Sequence, residues 1–364
     1  MRVVSLPFYA RLALTLLTVV LISVMLIKGS NIFIPLIFGL LIAILLFPMT
    51  RFMEEKLRLG RVLAPIISVV FFISALCGFV YFMALQFIGF SDDFPRLKVR
   101  FMQMFENMQH WFSYKLHITS HQQADYINRS ANGILETMGN SLSNIFISIT
   151  STMLLLIFVL IFTFFILYHR RLLMRFVLFL FKLEDRQKVR EVVMETKTMI
   201  NAYVLGLLIE MIVVGVINCL LFMILGINYV ILLGVMAAVL NIIPYLGIYS
   251  SIVICMLVTF ANSTGNAALQ VGVCLFVVHL LDSNILFPRI IGGRVKMNPF
   301  ITIVAVVVGE YLWGVPGMFL FIPITGIIKL ISERVEGMQA WSILIGVEEV
   351  EKRERKKKIV ISKE

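Results

Sequence analysis

An all-α integral membrane protein that crosses the bilayer repeatedly is the fold class this sequence predicts, and three observations predict it. Of its 364 residues 60% are hydrophobic and only 15% are charged, with a mean hydropathy of +0.97. A soluble domain carries about a quarter charged residues, and no water-soluble core would hide this much apolar surface. Apolar runs at 62–90, 143–168, 203–225 and 267–287 are each long enough to cross roughly 30 Å of hydrocarbon as a helix. Strand-like alternation is absent from the sequence, which argues against a β-barrel. About eight hydrophobic membrane segments are expected, two of them broken in the middle, together with an extramembrane amphipathic helical region.

The first span is expected over 11–28. Arg2 and Arg11 precede it as in a signal peptide, but no small-residue cleavage site follows and a second apolar run begins at once, so it reads as a retained span. The turn Lys28-Gly29-Ser30-Asn31 leads into span two, 32–49, which Pro48 and the charged stretch 51–61 are expected to end. Span three covers 62–90, completing an N-terminal block of three spans over 1–90.

Residues 91–142 form the polar region between spans. Leu97, Phe101, Met104, Phe105, Met108, Trp111 and Phe112 recur there at three- and four-residue steps, with Arg96, Lys98, Arg100 and Glu106 opposite. That is one apolar helical face, suited to lie on a bilayer or to pack on a partner helix. A fourth span, 143–168, and a basic linker complete the stretch 143–202, with an interfacial helix expected over Met174 to Phe181.

The stretch 203–331 is the expected core. Span five covers 203–225 and span seven 267–287. Segment 229–260 is interrupted by Ile243-Pro244-Tyr245-Leu246-Gly247, and segment 299–331 by Gly314-Val315-Pro316-Gly317. Each break either kinks one helix or turns a re-entrant hairpin. The tail 332–364 ends in Lys352, Arg353, Arg355, Lys356, Lys357 and Lys358.

The net charge is +11. In a soluble chain this would suggest nucleic acid as a partner. Here the basic residues sit in short loops and tails beside apolar runs, which is the positive-inside pattern with attraction to anionic lipid. Placing the N-terminus in the cytoplasm puts 50–61 and 169–202 inside and the longer 91–140 outside. The C-terminus falls inside as well. Two hairpins would also bring Arg289, Arg294 and Lys296 inside, whereas two kinked spans would leave them outside. With hairpins, span five plus the first and span seven plus the second become two units of like design and opposite orientation, the pattern of an inverted-repeat transporter.

Ionisable groups within apolar spans are costly and therefore mark candidate sites. Glu210 lies in span five, His279 and Asp282 lie three apart near the end of span seven, and Asn284 follows. Asn241 precedes the first break and Glu310 the second. Asp282 with Asn284 and Asn241 is a candidate sodium or proton site, because a carboxylate beside amides and freed carbonyls suits a hard cation. The alternatives are an interfacial Asp282 paired with Arg289 or Arg294, helix-packing hydrogen bonds for Glu210 and Glu310, and a structural His279. Cys77, Cys219, Cys255 and Cys274 have no metal-like spacing and read as small buried hydrophobes. No phosphate-binding loop, H-E-x-x-H, C-x-x-C or G-x-S-x-G is present, so no cofactor, ATP-driven step or enzymatic reaction is expected.

Asn241-Ile242-Ile243-Pro244-Tyr245-Leu246-Gly247 resembles the N-x-I-P-x-I-G signature of the autoinducer-2 exporter family, which includes the PerM-type permeases. The stretch from Asp282-Ser283-Asn284 through Pro288-Arg289 to Gly292 resembles its second signature. Asn298-Pro299 stands where His-Pro is usual, and Gly309, Gly314, Gly317 and Pro323 match its glycine-spaced final segment. Ile248 stands where proline is frequent, and Glu310 and Pro316 where small or apolar residues are usual. These departures touch both breaks, so the solute need not be the family's name-giving one.

The resemblance implies a secondary transporter or permease in a bacterial inner membrane. Its solute would be autoinducer-2, in quorum sensing, or another small polar solute or ion. Sodium/proton antiport and a homo-oligomer, a pentamer, are also implied. Asn241, Pro244, Gly247, Glu210, Asp282, Asn284, Pro288, Glu310, Gly314 and Gly317 would line the pathway. A passive channel and a non-transporting membrane scaffold are the rival expectations.

Overall fold

The computed structural model describes residues 7–91, 152–290 and 297–346, except 245 and 336, together with Val99 and Gln103. The amphipathic region expected over 91–142 lies almost entirely outside the described residues, as do Arg294, Lys296 and the lysine-rich tail. What is described is all-α. Its helices are α1 (Phe8–Lys28), α2 (Ser30–Glu55), α3 (Leu63–Ser91), α4 (Thr152–Phe179), α5 (Arg186–Ile224), α6 (Val230–Asn241), α7 (Leu246–Asn262), α8 (Gly265–Leu281), α9 (Phe287–Ile290), α10 (Pro299–Trp313), α11 (Val315–Ser332) and α12 (Gln339–Ile345). Among the described residues seven helices are long and apolar enough to cross a membrane. Their outward faces carry side chains such as Leu14, Val20, Phe71, Phe165, Ile212 and Val273, all exposed. A surface this apolar is matched to lipid, where every backbone polar group must be satisfied inside a helix.

That requirement corrects two expectations. Pro48 does not end α2, which continues to Glu55 with Pro35 and Pro48 inside it. A proline removes one helical hydrogen bond, but in hydrocarbon an unwound backbone would lose several. Nor is Met174 to Phe181 a separate interfacial helix, because α4 continues through it to Phe179. The 39 residues of α5 measure about 59 Å. Its apolar half from Tyr203 onward is enough to span, and Lys188, Arg190 and Lys197 lie on the half before it. Of the four cysteines, Cys255 is buried but Cys77 is exposed on α3, so burial does not describe them all.

The chain divides into two compact units. The first takes its described residues from 1–68, 158–207 and 288–364. Within it α2 and α4 cross closely at Gly39, where an added Cβ would stand 2.8 Å from Phe162 Cβ. Small residues let membrane helices approach in this way. Thr163 adds a hydroxyl bond to the Gly39 carbonyl at 3.3 Å. Trp313 of α10 donates from its indole to the Leu26 carbonyl of α1 at 3.0 Å, and Phe38 stacks on Phe319 at 5.8 Å. Asn298 caps α10 by accepting from Phe300 N at 3.0 Å, with Pro299 at its first position.

The second unit takes its residues from 69–157 and 208–287. Its core gathers Phe222, Ile227, Leu233, Ala237, Cys255, Val271 and Leu275 from α5, α6, α7, α8 and the turn after α5.

Both broken segments fold back as helical hairpins rather than as kinked spans. In the first, within the second unit, Gly247 approaches so near the end of α6 that a Cβ would fall 1.9 Å from the Leu240 carbonyl oxygen. Further along the arms Cys255 Sγ reaches the Leu233 carbonyl at 3.8 Å. In the second, within the first unit, Gly314 turns the chain at φ 63° and ψ −145°, a region open essentially to glycine alone. Gly309 and Gly317 then meet backbone to backbone, a Cβ on Gly317 falling 1.9 Å from the Gly309 oxygen. In chain order, a long helix precedes each hairpin: α5 before the first, α8 before the second.

Candidate functional site

The site is assembled at the turn of the first hairpin. Helix α8 does not run smoothly into α9. A π-helical turn, Asp282–Leu286, intervenes, with Phe287 N bonding back to the Asp282 carbonyl. Pro288 supplies a local reason, since it has no N–H to give and its ring crowds the carbonyl four residues back, at Asn284. Single π turns inside α-helices are frequent at functional positions because they re-aim side chains.

Asp282 opens that turn and is only 4% exposed. Its Oδ2 accepts from Asn241 Nδ2 at 2.9 Å, and Asn241 is the last residue of α6. Glu210 of α5, 6% exposed, brings its carboxylate against that of Asp282. Asp282 Oδ1 and Glu210 Oε2 have no hydrogen-bond partner among the described residues. Two ionised carboxylates offer only lone pairs to one another, so their approach is unfavourable unless one of them carries a proton or a cation lies beside them.

A small cavity adjoins Asp282, with about 10 Å³ of space for a water-sized body, room for about one water or bare cation. Asn218, Asn241, Ser251, His279 and Asp282 give it polar walls, and Ile248 and Leu275 belong to its apolar ones. Ile248 is therefore a wall residue.

The expected site residues divide accordingly. Asn241, Asp282 and Glu210 come together, with Pro244 in the adjoining turn and Gly247 buried at the start of α7. Asn284 is turned away: it is exposed, and its amide donates to the Leu280 carbonyl of its own helix at 2.8 Å. Pro288 is exposed on α9. Glu310, Gly314 and Gly317 belong to the other unit; Glu310 is exposed on α10, and its backbone carbonyl accepts from Gly314 N at 2.7 Å. Arg289 is exposed.

Sequence reasoning missed Asn218 and Ser251. Asn218 lies two helical turns beyond Glu210 in an otherwise apolar run, and that spacing was a usable signal. Ser251 gave none. Among the described residues no group of three or more His, Cys, Asp or Glu side chains could hold a metal ion.

The family described as AI-2E family transporter matches residues 13–337. The chain is 25% identical to the inferred transport protein YrrI of Bacillus subtilis (strain 168) over 83% of its length and 86% of that protein's. It is likewise 25% identical to the inferred transport protein YhhT of Escherichia coli (strain K12), covering 87% of this chain and 89% of that one. To the AI-2 transport protein TqsA of the same strain it is 22% identical, over 87% of this chain and 90% of the relative.

Proposed function

The chain belongs to the AI-2E transporter family, a bacterial family of multi-pass membrane proteins, and from that premise we propose that it is a secondary transporter driven by a sodium or proton gradient. It moves a small polar solute, with autoinducer-2 a candidate because TqsA carries that name. The solute passes by alternating access of the hairpin-bearing core, and no chemical reaction is catalysed on it. The protein works in the inner membrane with both termini in the cytoplasm, as a homo-oligomer for which a pentamer is expected.

One observation carries this reading. A carboxylate, Asp282, is buried in an apolar helical unit at the junction of a helix-breaking hairpin and a π turn, held by a single amide. Buried carboxylates within membrane helices belong to ion and proton pathways, and broken helices there supply carbonyls and helix ends for substrates.

The test is flux into proteoliposomes under imposed sodium and proton gradients, with autoinducer-2 and with ions as solutes. Wild type is expected to concentrate solute against its gradient, and Asp282→Asn to lose that ability while keeping its oligomeric state. Solute that only ever runs downhill would identify a passive permease instead. Full gradient-driven flux in Asp282→Asn would remove Asp282 from the mechanism.

A further inference from the structure

Another cavity, of about 500 Å³, lies within the first unit, where the apolar run of α2 gives way to charge. The end of α2, the turn into α3 and the middle of α4 supply its walls. Its size is that of a small-molecule site, but its walls are charged. Arg51, Arg61, Arg170 and Arg171 face it against two acids, Glu54 and Glu55.

Both acids are already engaged, Glu54 with Arg170 and Glu55 with Arg51 at 2.7 Å. Arg61 and Arg171, both exposed, have no ion-pair or hydrogen-bond partner among the described residues. Arg170 keeps a buried nitrogen, Nη1, without an acceptor. Half-buried Lys197 of α5 adds a cation behind the wall. Its Nζ stands 2.9 Å from the centre of the Phe47 ring, over which Arg170 also lies at 5.3 Å. Burial, and then the charges of Arg170 and Arg51, lower the Lys197 pKa to about 8. Cations are thus gathered here beyond what the carboxylates neutralise, and their mutual repulsion is relieved when an anion enters. Membrane orientation alone asks only for positive charge in the loops; it does not require arginines from two separate segments to converge on one cavity.

The chemistry of the set selects the anion. A guanidinium fork matches phosphate oxygens in pairs. A carboxylate would bring one charge and two oxygens, whereas a phosphate group brings up to two charges and three acceptor oxygens, enough for two uncommitted arginines. Gly60 and Arg61 also line the cavity just ahead of α3, whose first turn opens with Ala64 N bonded to the Gly60 carbonyl at 3.1 Å. A helix N-terminus so placed adds to the attraction for an anion.

We propose that this cavity is a phosphate-binding site, in which Arg61 and Arg171 hold the phosphate group of a lipid headgroup or of free phosphate, and Arg51, Arg170 and Lys197 supply the surrounding positive field. The site draws on none of the residues around Asp282 and does not depend on the transport reading.

Direct binding tests it. The full-length chain, washed free of lipid in detergent, is titrated with radioactive inorganic phosphate and, separately, with labelled phosphatidylglycerol in mixed micelles. At least one probe is expected to saturate at one per protomer and to weaken as salt is added. The double variant Arg61→Gln, Arg171→Gln is expected to bind about tenfold or more weakly. Arg175→Gln removes an exposed arginine of α4 that does not line the cavity, and should bind as wild type does. Gly60→Glu is an independent variant: an added Cβ there meets nothing within 4 Å, so a carboxylate can be set at the cavity without a clash, and binding should again weaken.

Inorganic phosphate that saturates and displaces phosphatidylglycerol would show that the phosphate group suffices. Phosphatidylglycerol that saturates alone would identify a lipid headgroup as the occupant. Saturation by neither probe overturns the proposal. So does unchanged affinity in the folded double variant or, should that variant not fold, in Gly60→Glu. Equal weakening in Arg175→Gln would also overturn it, by assigning the binding to the general positive charge of the surface.

Discussion

Asn241 and Asp282, forty-one residues apart in the chain, are joined by a 2.9 Å hydrogen bond from the Asn241 side-chain amide to Asp282 Oδ2. The bond ties the last residue of α6 to the first of the π turn. It fixes the hairpin turn against the helix whose irregularity carries the buried carboxylate, so both ends of the bond sit where the chain departs from regular helix.

Removing that amide should have a cost in stability and in transport together. Asn241→Ala leaves Asp282 Oδ2 unpaired as well as Oδ1, and is expected to destabilise the protein by about 1–3 kcal/mol. Asn241→Asp places a third carboxylate beside two others and should be worse. Thermal unfolding in detergent gives the stability, and proteoliposome flux the activity. An Asn241→Ala variant as stable as wild type would mean that the bond does not hold the turn.

The second hairpin depends on the absence of two side chains. Gly317→Ala would drive a Cβ to 1.9 Å from the Gly309 oxygen, and Gly309→Ala to 2.3 Å from the Gly317 oxygen. Each should cost about 3 kcal/mol or more, because two backbones must part. Gly78, whose added Cβ meets nothing within 4 Å, is the control. Gly78→Ala should be neutral or stabilising by about 0.5 kcal/mol. The comparison is read from unfolding midpoints of the three variants.

Helix α1 buries none of its residues, so its attachment relies on few groups. Trp313→Phe keeps the ring and deletes the indole donor to the Leu26 carbonyl. The expected loss is about 1 kcal/mol, with faster proteolysis or amide exchange confined to α1. Loss spread evenly across the helices would assign Trp313 a general packing role instead.

Two neighbouring glutamates on α2 should behave differently. Glu54 pairs with Arg170 of α4, with side chains only 14% and 22% exposed, and Arg170 also lies over the Phe47 ring. Glu55 pairs with Arg51 at 2.7 Å, both side chains well exposed. Glu54→Gln strands a largely buried guanidinium and should cost about 1–3 kcal/mol, whereas Glu55→Gln should cost less than about 0.5 kcal/mol. Unfolding at low and high salt checks this, since only the exposed pair is strongly screened.

The membrane class, the order of the long helices and the two break points were legible in the chain, because they depend on properties each residue carries alone. A run of Leu, Ile, Val and Phe is apolar whatever surrounds it, and Gly314 or Pro244 bends a backbone by its own geometry. The extent of α2 past Pro48 and of α4 past Tyr168 was not legible. There the helix competes with an unwound backbone in lipid, and the medium decides for the helix. Asp282 and Glu210 could be nominated as costly charges, yet their meeting could not. It depends on where α5 passes the π turn. Asn284 and Asn218 show the same limit from opposite sides. Both are amides near apolar helix ends, and only the helical phase fixed by the Pro288-driven π turn and by the packing of α5 on α6 and α8 turns one outward and buries the other at the cavity.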